Sequence, residues 1–279
     1  MAEGRLAGKI AFITGTGRGI GRTAALVFAS EGAAVFGADI DPVTAAETVE
    51  IVRSRGGVMD SVGGVDLAER DEAKAWIERG VETFGGINAL YNNAAAVRMA
   101  MVPDVTPESW SFTLRNELDL VMWTTQAAWS HLKGGGGGSI INSASTGASR
   151  GVAEFGQSAH TAAMAGVLAL TLQHAAEGAA HGIRVNAVSP GPTDTPSFRA
   201  VLKKTFGDSP PVPGSDDPRI GNHSALHRLG HPEDAARAAV FLASDDSTWI
   251  TGENIVIDGG RSRIDGIPSG VSRGSVPIA

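Results

Sequence analysis

The chain has 279 residues, 42% of them apolar, and 23 basic against 30 acidic side chains give a formal charge of −7. This is enough apolar material for one sizeable core, and the acidic balance argues against nucleic acid or an anionic membrane surface as partner. The absence of cysteine excludes disulfides, thiolate metal sites and cysteine nucleophiles.

From Met1 to Ile10 there is no apolar stretch of signal-peptide length. No run approaches the roughly 20 apolar residues of a membrane span. The expectation is a cytoplasmic protein acting on a small molecule.

In chain order, Lys9–Thr14 reads as a buried strand and Gly21–Glu31 as a helix rich in Ala, Leu, Val and Phe. Ala33–Asp39 predicts a second strand. Asp41-Pro42 then suits a helix start, a capping carboxylate followed by a first-turn proline. A third strand is expected near Val58–Val62 and a fourth over Ile87–Asn92, followed by a long helix from about Pro107 to Leu132. Past the glycines Gly134–Gly138 come a strand at Ser139–Ser143 and a small-residue helix over roughly Gln157–Ala180. Strands at Arg184–Ser189 and Asn254–Asp258 complete the set. Alternation of this kind implies parallel pairing with right-handed crossovers. The expected architecture is α/β: one domain with a doubly wound, mostly parallel, Rossmann-like sheet, helices on both faces, and ligands beyond the carboxyl ends of the strands.

Two stretches break the rhythm. Pro196–Asn222, with its Pro210-Pro211-Val212-Pro213 segment, reads as a long irregular insertion of the kind that forms a lid. Arg261–Ala279 reads as an extended arm or frayed end attached to a domain of residues 1–260.

The strongest chemical signal is Thr14-Gly15-Thr16-Gly17-Arg18-Gly19-Ile20-Gly21, placed between a strand and a helix. Glycines there let the backbone turn tightly and approach a pyrophosphate, which then rests on the helix N-terminal amides. Asp39 ends the next strand, where a carboxylate accepts hydrogen bonds from the adenosine ribose and repels a 2′-phosphate. Ile40 and Asp41 bring no cation, but Arg18 does; NAD(H) is therefore the expected cofactor, with NADP(H) possible.

Thr14-Gly15-x-x-x-Gly19-x-Gly21 resembles the glycine motif of short-chain dehydrogenases/reductases, and further motifs follow in the family's order. Asp66-Leu67 resembles its acidic position near the adenine, and Asn92-Asn93-Ala94-Ala95 its Asn-Asn-Ala-Gly turn with alanine for glycine. Arg184-Val185-Asn186-Ala187-Val188-Ser189-Pro190-Gly191 is similar to the stretch framing the nicotinamide. Arg228-Leu229-Gly230-His231-Pro232-Glu233-Asp234, Thr251-Gly252 and Asp258-Gly259-Gly260 match the carboxyl-terminal signature. The resemblance covers about residues 6–260. It implies cofactor contacts at Gly15, Arg18, Gly19, Ile20, Gly21, Asp39, Asp66, Leu67, Asn93, Pro190, Gly191, Thr193 and Thr195, and a homo-oligomer, dimer or tetramer.

The family protonates its carbonyl substrate with a tyrosine, assisted by a lysine four residues on, a serine and an upstream asparagine. Ser145 fits the serine. Asn116 fills the asparagine place, although the segment after it runs one residue longer than usual. The helix normally reading Tyr-Ser-Ala-Ser-Lys-Ala-Ala matches Gln157-Ser158-Ala159-His160-Thr161-Ala162-Ala163, so Gln157 stands for tyrosine and Thr161 for lysine. Tyr91, the only tyrosine, lies inside the fourth strand and reads as a core aromatic. Neither an amide nor an aliphatic hydroxyl titrates near neutrality, and losing acid–base assistance costs about 100- to 10,000-fold in rate. His160 is the only titratable group in the replaced segment; a helix-surface role competes with a catalytic one. Glu154, three residues before Gln157, reads either as facing the substrate or as a solvated loop carboxylate.

Three functions remain open. One is an NAD(P)H-dependent oxidoreductase reducing a C=N or C=O bond, with a protonated imine needing no acid. Another is a lyase, isomerase or cyclase on the same scaffold, and the last is a catalytically silent NAD-binding protein. No His/Asp/Glu cluster shows metal-ligand spacing.

Overall fold

Seven short runs of small and β-branched residues form the strands of one wholly parallel sheet in this computed structural model, which describes residues 4–152, 155–207 and 224–264. The strands are β1 (Ile10–Thr14), β2 (Ala34–Asp39), β3 (Val58–Gly63), β4 (Ala89–Asn92), β5 (Gly138–Ser143), β6 (Ile183–Pro190) and β7 (Asn254–Ile257). Their order in space is β3-β2-β1-β4-β5-β6-β7. The order reverses between β1 and β4, which opens a crevice at the carboxyl edge.

Eight α-helices stand among the described residues, most of them on the two faces: α1 (Gly19–Ser30), α2 (Pro42–Ser54), α3 (Arg70–Phe84), α4 (Pro107–Leu114), α5 (Leu120–Gly134), α6 (Ser158–Gly178), α7 (Pro196–Phe206) and α8 (Pro232–Ala243). Because both faces are covered, the central strands are apolar without alternation, as in Ile10–Thr14. Alternate residues of that strand feed different cores. Ala11 and Ile13 pack with Phe28 of α1 and Ala239 of α8. Phe12 turns to the other face and meets Phe36, Trp76 of α3 and Leu132 of α5. Trp76 is fully enclosed there, its ring edge-on to Phe12 at 5.5 Å and its Nε1–H donating to the Gly37 carbonyl at 3.0 Å.

The expected strands and most helices stand within a residue or two of their predicted bounds. The cap at the start of α2 does too: Asp41 Oδ1 accepts from Val43 N at 3.0 Å and Thr44 N at 3.4 Å. Two helices escaped the sequence reading. One is α3, whose buried Ala73, Trp76, Ile77 and Gly80 form a stripe at helical spacing among many charges; the other is α8.

Two expectations need correction. The helix predicted over Pro107–Leu132 is α4 and α5 joined by one turn of π geometry, Arg115–Asp119. A surplus residue in a continuous helix is absorbed by such a widened turn. The stretch expected to be irregular from Pro196 begins with eleven residues of helix, α7, capped by Thr195 Oγ1 accepting from Phe198 N at 3.1 Å. Leu202 of α7 packs on Leu229, with Phe198 and Phe206 beside them, so these residues form a small core of their own. The proline-rich remainder of the insertion and most of the carboxyl-terminal tail lie outside the described residues. Among the described residues no helix is long and apolar enough to cross a membrane.

Candidate active site

The crevice above β1, β2 and β4 is a cavity of about 570 Å³. The sequence shapes its floor. Gly15 and Gly19 have φ of +73° and +56°, left-handed values that glycine adopts without strain. A Cβ on Gly15 would strike the Ala94 backbone, and one on Gly21 would overlap the Gly15 carbonyl. Helix α1 starts here with Arg18 at its cap and no side-chain cap bond. Its first-turn amides therefore face the cavity without a side-chain acceptor. Asp39, at the end of β2, accepts from Gly17 N at 2.7 Å and from Asp41 N at 2.9 Å, which fixes its carboxylate on the rim. A glycine cradle, free helix amides and a rim carboxylate fit a dinucleotide: pyrophosphate over the turn, ribose at Asp39.

The other predicted contacts on this side also meet. Arg18, Ile20, Asp66, Leu67 and Asn93 line the same cavity. Asp66 is engaged by Arg115, whose guanidinium donates to it at 2.7 Å and to Glu69 at 2.6 Å. Those two carboxylates hold the guanidinium pKa above its usual range. Asn93 donates its backbone N–H to Thr14 Oγ1 at 2.9 Å and its amide to the Thr14 carbonyl at 3.0 Å, which locks the end of β4 onto β1.

A second cavity, about 300 Å³, opens above β5 and β6. Ile20, Asn93, Ala94, Ala95, Glu117 and Thr195 line both cavities, so the two are contiguous. Ser145, Gln157, His160, Pro190, Gly191 and Thr193 surround the second one. Ser145 follows β5, and its Oγ accepts from Gly147 N at 3.0 Å. Gln157 precedes α6, and its Nε2 is buried without a hydrogen-bond partner. A buried amide donor left unpaired is costly, so this one is poised for an acceptor brought by a ligand. His160, one helical turn on, has Nδ1 at 2.9 Å and 3.0 Å from the two carboxylate oxygens of Glu117.

Tyr91 is fully buried in β4, its ring parallel to Phe28 and its hydroxyl accepting from Ser143 Oγ at 3.0 Å. Burial pushes its phenol up to about 12, with the Ser143 bond opposing. It is a core aromatic, as its place in the sequence implies.

Asn116 is not brought to Ser145. It lines only the larger cavity, and its amide donates to the Phe112 carbonyl at 2.8 Å within the helix. On the widened turn the next residue, Glu117, lines the smaller cavity as well as the larger one, where Asn116 does not. Thr161 lines neither cavity. Glu154 lies outside the described residues. Sequence reasoning missed Glu117 and two arginines, Arg150 and Arg261, that line the smaller cavity. The signal for Glu117 was the one-residue surplus, which shifts the inward-facing position by one. Nothing in the local pattern marks the arginines.

This arrangement is that of a nucleotide-dependent oxidoreductase on a doubly wound sheet: a dinucleotide cleft whose far end opens into a small, polar-tipped pocket. Residues 15–262 match the family model described as enoyl-(acyl carrier protein) reductase, and the chain belongs to the short-chain dehydrogenase/reductase family. It is 34% identical over 256 residues to a 3-oxoacyl-(acyl-carrier-protein) reductase of Thermotoga maritima, covering 92% of this chain and 98% of that one. To a cyclohexanol dehydrogenase of an Acinetobacter species it is 32% identical over 252 residues, 90% of this chain and 94% of the other. A crystal structure of carveol dehydrogenase from Mycobacterium avium in complex with NAD superposes with a TM-score of 0.86 at 29% identity, covering 92% of this chain and 99% of that one.

Proposed function

We propose that the protein reduces a C=N or C=O bond of a small molecule in the pocket around Ser145, with NADH preferred and NADPH possible. The observation that carries this reading is the continuity of the two cavities through Ile20, Asn93, Ala94 and Thr195. A dinucleotide seated on the glycine turn would reach, through that opening, the pocket at the ends of β5 and β6. When bound, the reduced nicotinamide supplies a hydride to an electrophilic carbon. Ser145 Oγ would donate to a carbonyl oxygen or accept from the N–H of a protonated imine, and Gln157 Nε2 would donate to a carbonyl oxygen. Pro190, Gly191 and Thr193 frame the carboxamide side of the pocket, Thr195 adds a hydroxyl where the cavities meet, and Leu67 walls the adenine end. Asp39 supports the preference for a free 2′-hydroxyl, while Arg18 on the same rim keeps the phosphorylated cofactor open.

In this reading Gln157 and Thr161 stand where the family carries its tyrosine and lysine. The buried amide of Gln157 in the pocket, against a Thr161 that lines neither cavity, supports positioning without proton donation. A protonated imine brings its own proton, so cyclic imines are expected to be reduced faster than matched ketones. Residues 1–260 form the catalytic unit, with 261–279 as an extension whose first residue, Arg261, reaches the pocket. We further assign the working form to a homodimer or homotetramer in the cytoplasm.

The test is NADH consumption across matched imines and ketones, run beside a Gln157→Tyr/Thr161→Lys variant. Imine turnover by the native chain and a gain of ketone reduction in the variant are the expected results. Equal inactivity toward both substrates, with NADH bound, removes the reading.

A further inference from the structure

We propose that Glu117 and His160 form the proton-transfer pair of this site: His160 Nε2 gives the proton to the substrate, and Glu117 is the positioning residue that fixes the ring. The proposal rests on the oxidoreductase reading above and extends its substrates to neutral aldehydes and ketones, which need an acid.

Glu117 sits on the widened turn between α4 and α5, with a side chain only 2% exposed. Burial pushes its carboxyl pKa up, and the bond to His160 pulls it back. The separations of 2.9 Å and 3.0 Å from Nδ1 to the two oxygens are nearly equal. Such near-equal distances fit one N–H shared between the two carboxylate oxygens. In the proposed pair the Nδ1 hydrogen faces the Glu117 carboxylate, and Nε2 is left as the nitrogen that gives the proton to the substrate. Nε2 makes no hydrogen bond among the described residues, and it is not among the buried polar atoms that lack partners, so it opens to the cavity. It shares the cavity with Ser145 and the unpaired amide of Gln157.

The surroundings suit the task. Glu117 is the only carboxylate among the described residues lining this cavity, and the other charged groups facing it are Arg150 and Arg261. Arg115, on the same turn as Glu117, is engaged with Asp66 and Glu69 and does not compete for it. Tyr91, behind Ser143, holds its proton to about 12 and does not exchange it with the pocket near neutrality. From α6 itself, His160 is the only titratable group reaching the cavity. A pair serving packing alone would be enclosed on both sides; this one is enclosed at Glu117 and open at Nε2.

In the reduction, the carbon gains hydride from the nicotinamide and the C=O π pair moves onto oxygen. The O–H bond forms as the Nε2–H bond breaks, and Nε2 retains the electron pair. The neutral ring keeps its Nδ1–H on Glu117 and is reprotonated from solvent. In alcohol oxidation the same atoms run in reverse.

The test combines nitrogen-15 NMR of the histidine rings in the cofactor-free full chain with the rate ratio for a ketone over a pre-protonated cyclic imine. In the native chain, neutral His160 is expected as the Nδ1–H tautomer; Glu117→Met, which offers no oxygen acceptor, is expected to lose that bias and alter the acid limb of the ketone pH profile. His160→Gln is expected to lower the ketone-to-imine ratio about 100-fold or more, with NADH affinity measured in parallel. An unchanged tautomer and pH profile in Glu117→Met, or an unchanged ratio in His160→Gln, overturns the pair while native turnover leaves the oxidoreductase reading standing. A native chain that binds NADH and turns over neither substrate overturns that reading, and the pair's role with it.

Discussion

Tyr91 is the only tyrosine of the chain, so its ionisation can be followed by tyrosinate absorbance without interference. Enclosed between Phe28 and Ser143, the phenol is held from its usual 10.0 up to about 12, chiefly because a buried phenolate loses its hydration. Each pKa unit corresponds to about 1.4 kcal/mol, so the rise of two units amounts to roughly 3 kcal/mol. The unfolded chain releases this proton near pH 10 while the folded chain keeps it to about 12. Between those values the folded state binds a proton that the unfolded state lacks. Stability from this residue is therefore full below the lower value and falls as pH climbs through the window. Tyr91→Phe removes that fall. It also strands the Ser143 hydroxyl without its acceptor, at about 1 kcal/mol near neutrality. The assay is urea unfolding of both chains near neutral pH and inside the alkaline window, with absorbance titration of the native protein. The variant is expected to be slightly less stable near neutrality and relatively more stable in the alkaline window, with NADH-dependent turnover retained. A tyrosinate midpoint near 10 in the folded protein would refute the reasoning, because it would mean the phenol is hydrated.

Further outcomes follow from other parts of the structure. Asp39→Ala removes the rim acceptor and should weaken NADH binding roughly 10- to 100-fold, the worth of a hydrogen bond to a charged group, while NADPH loses less; competitive titration of the two cofactors measures the ratio. Gly21→Ala places a Cβ on the Gly15 carbonyl, so cofactor binding should be abolished or the melting temperature sharply lowered. Trp76→Ala empties a site only 2% exposed and should cost about 3–5 kcal/mol in urea unfolding, with little change in cofactor specificity.

Most of the scaffold can be read from the chain because its physics is local. The runs around Phe12, Phe36 and Ile140 are short, apolar and flanked by turns, so their strands announce themselves. Gly15 and Gly19 take left-handed φ and Gly21 packs on the Gly15 carbonyl, all within one short turn, so the cradle is equally legible. Helix α3 escaped because its apolar stripe, Ala73 to Gly80, is diluted by charges on three sides. Gln157 and His160 could be singled out as departures from a family pattern. What they face could not, since that depends on the rotation of α6 against the α4–α5 junction. Glu117 illustrates the limit. Its burial follows from one extra residue in a helix, and only the widened turn decides whether Asn116 or Glu117 faces the pocket. Arg150 and Arg261 are far apart in sequence and meet at the pocket through tertiary packing, with Arg150 Nη1 donating to the Arg261 carbonyl at 3.1 Å.

The central claim is that a reduced nicotinamide dinucleotide occupies the crevice between β1 and β4, and isothermal titration of the full chain measures it directly. The account predicts saturable heat with NADH, weaker with NADPH, and lost in Gly21→Ala. Flat titrations with both cofactors, for a chain shown to be folded, would contradict it.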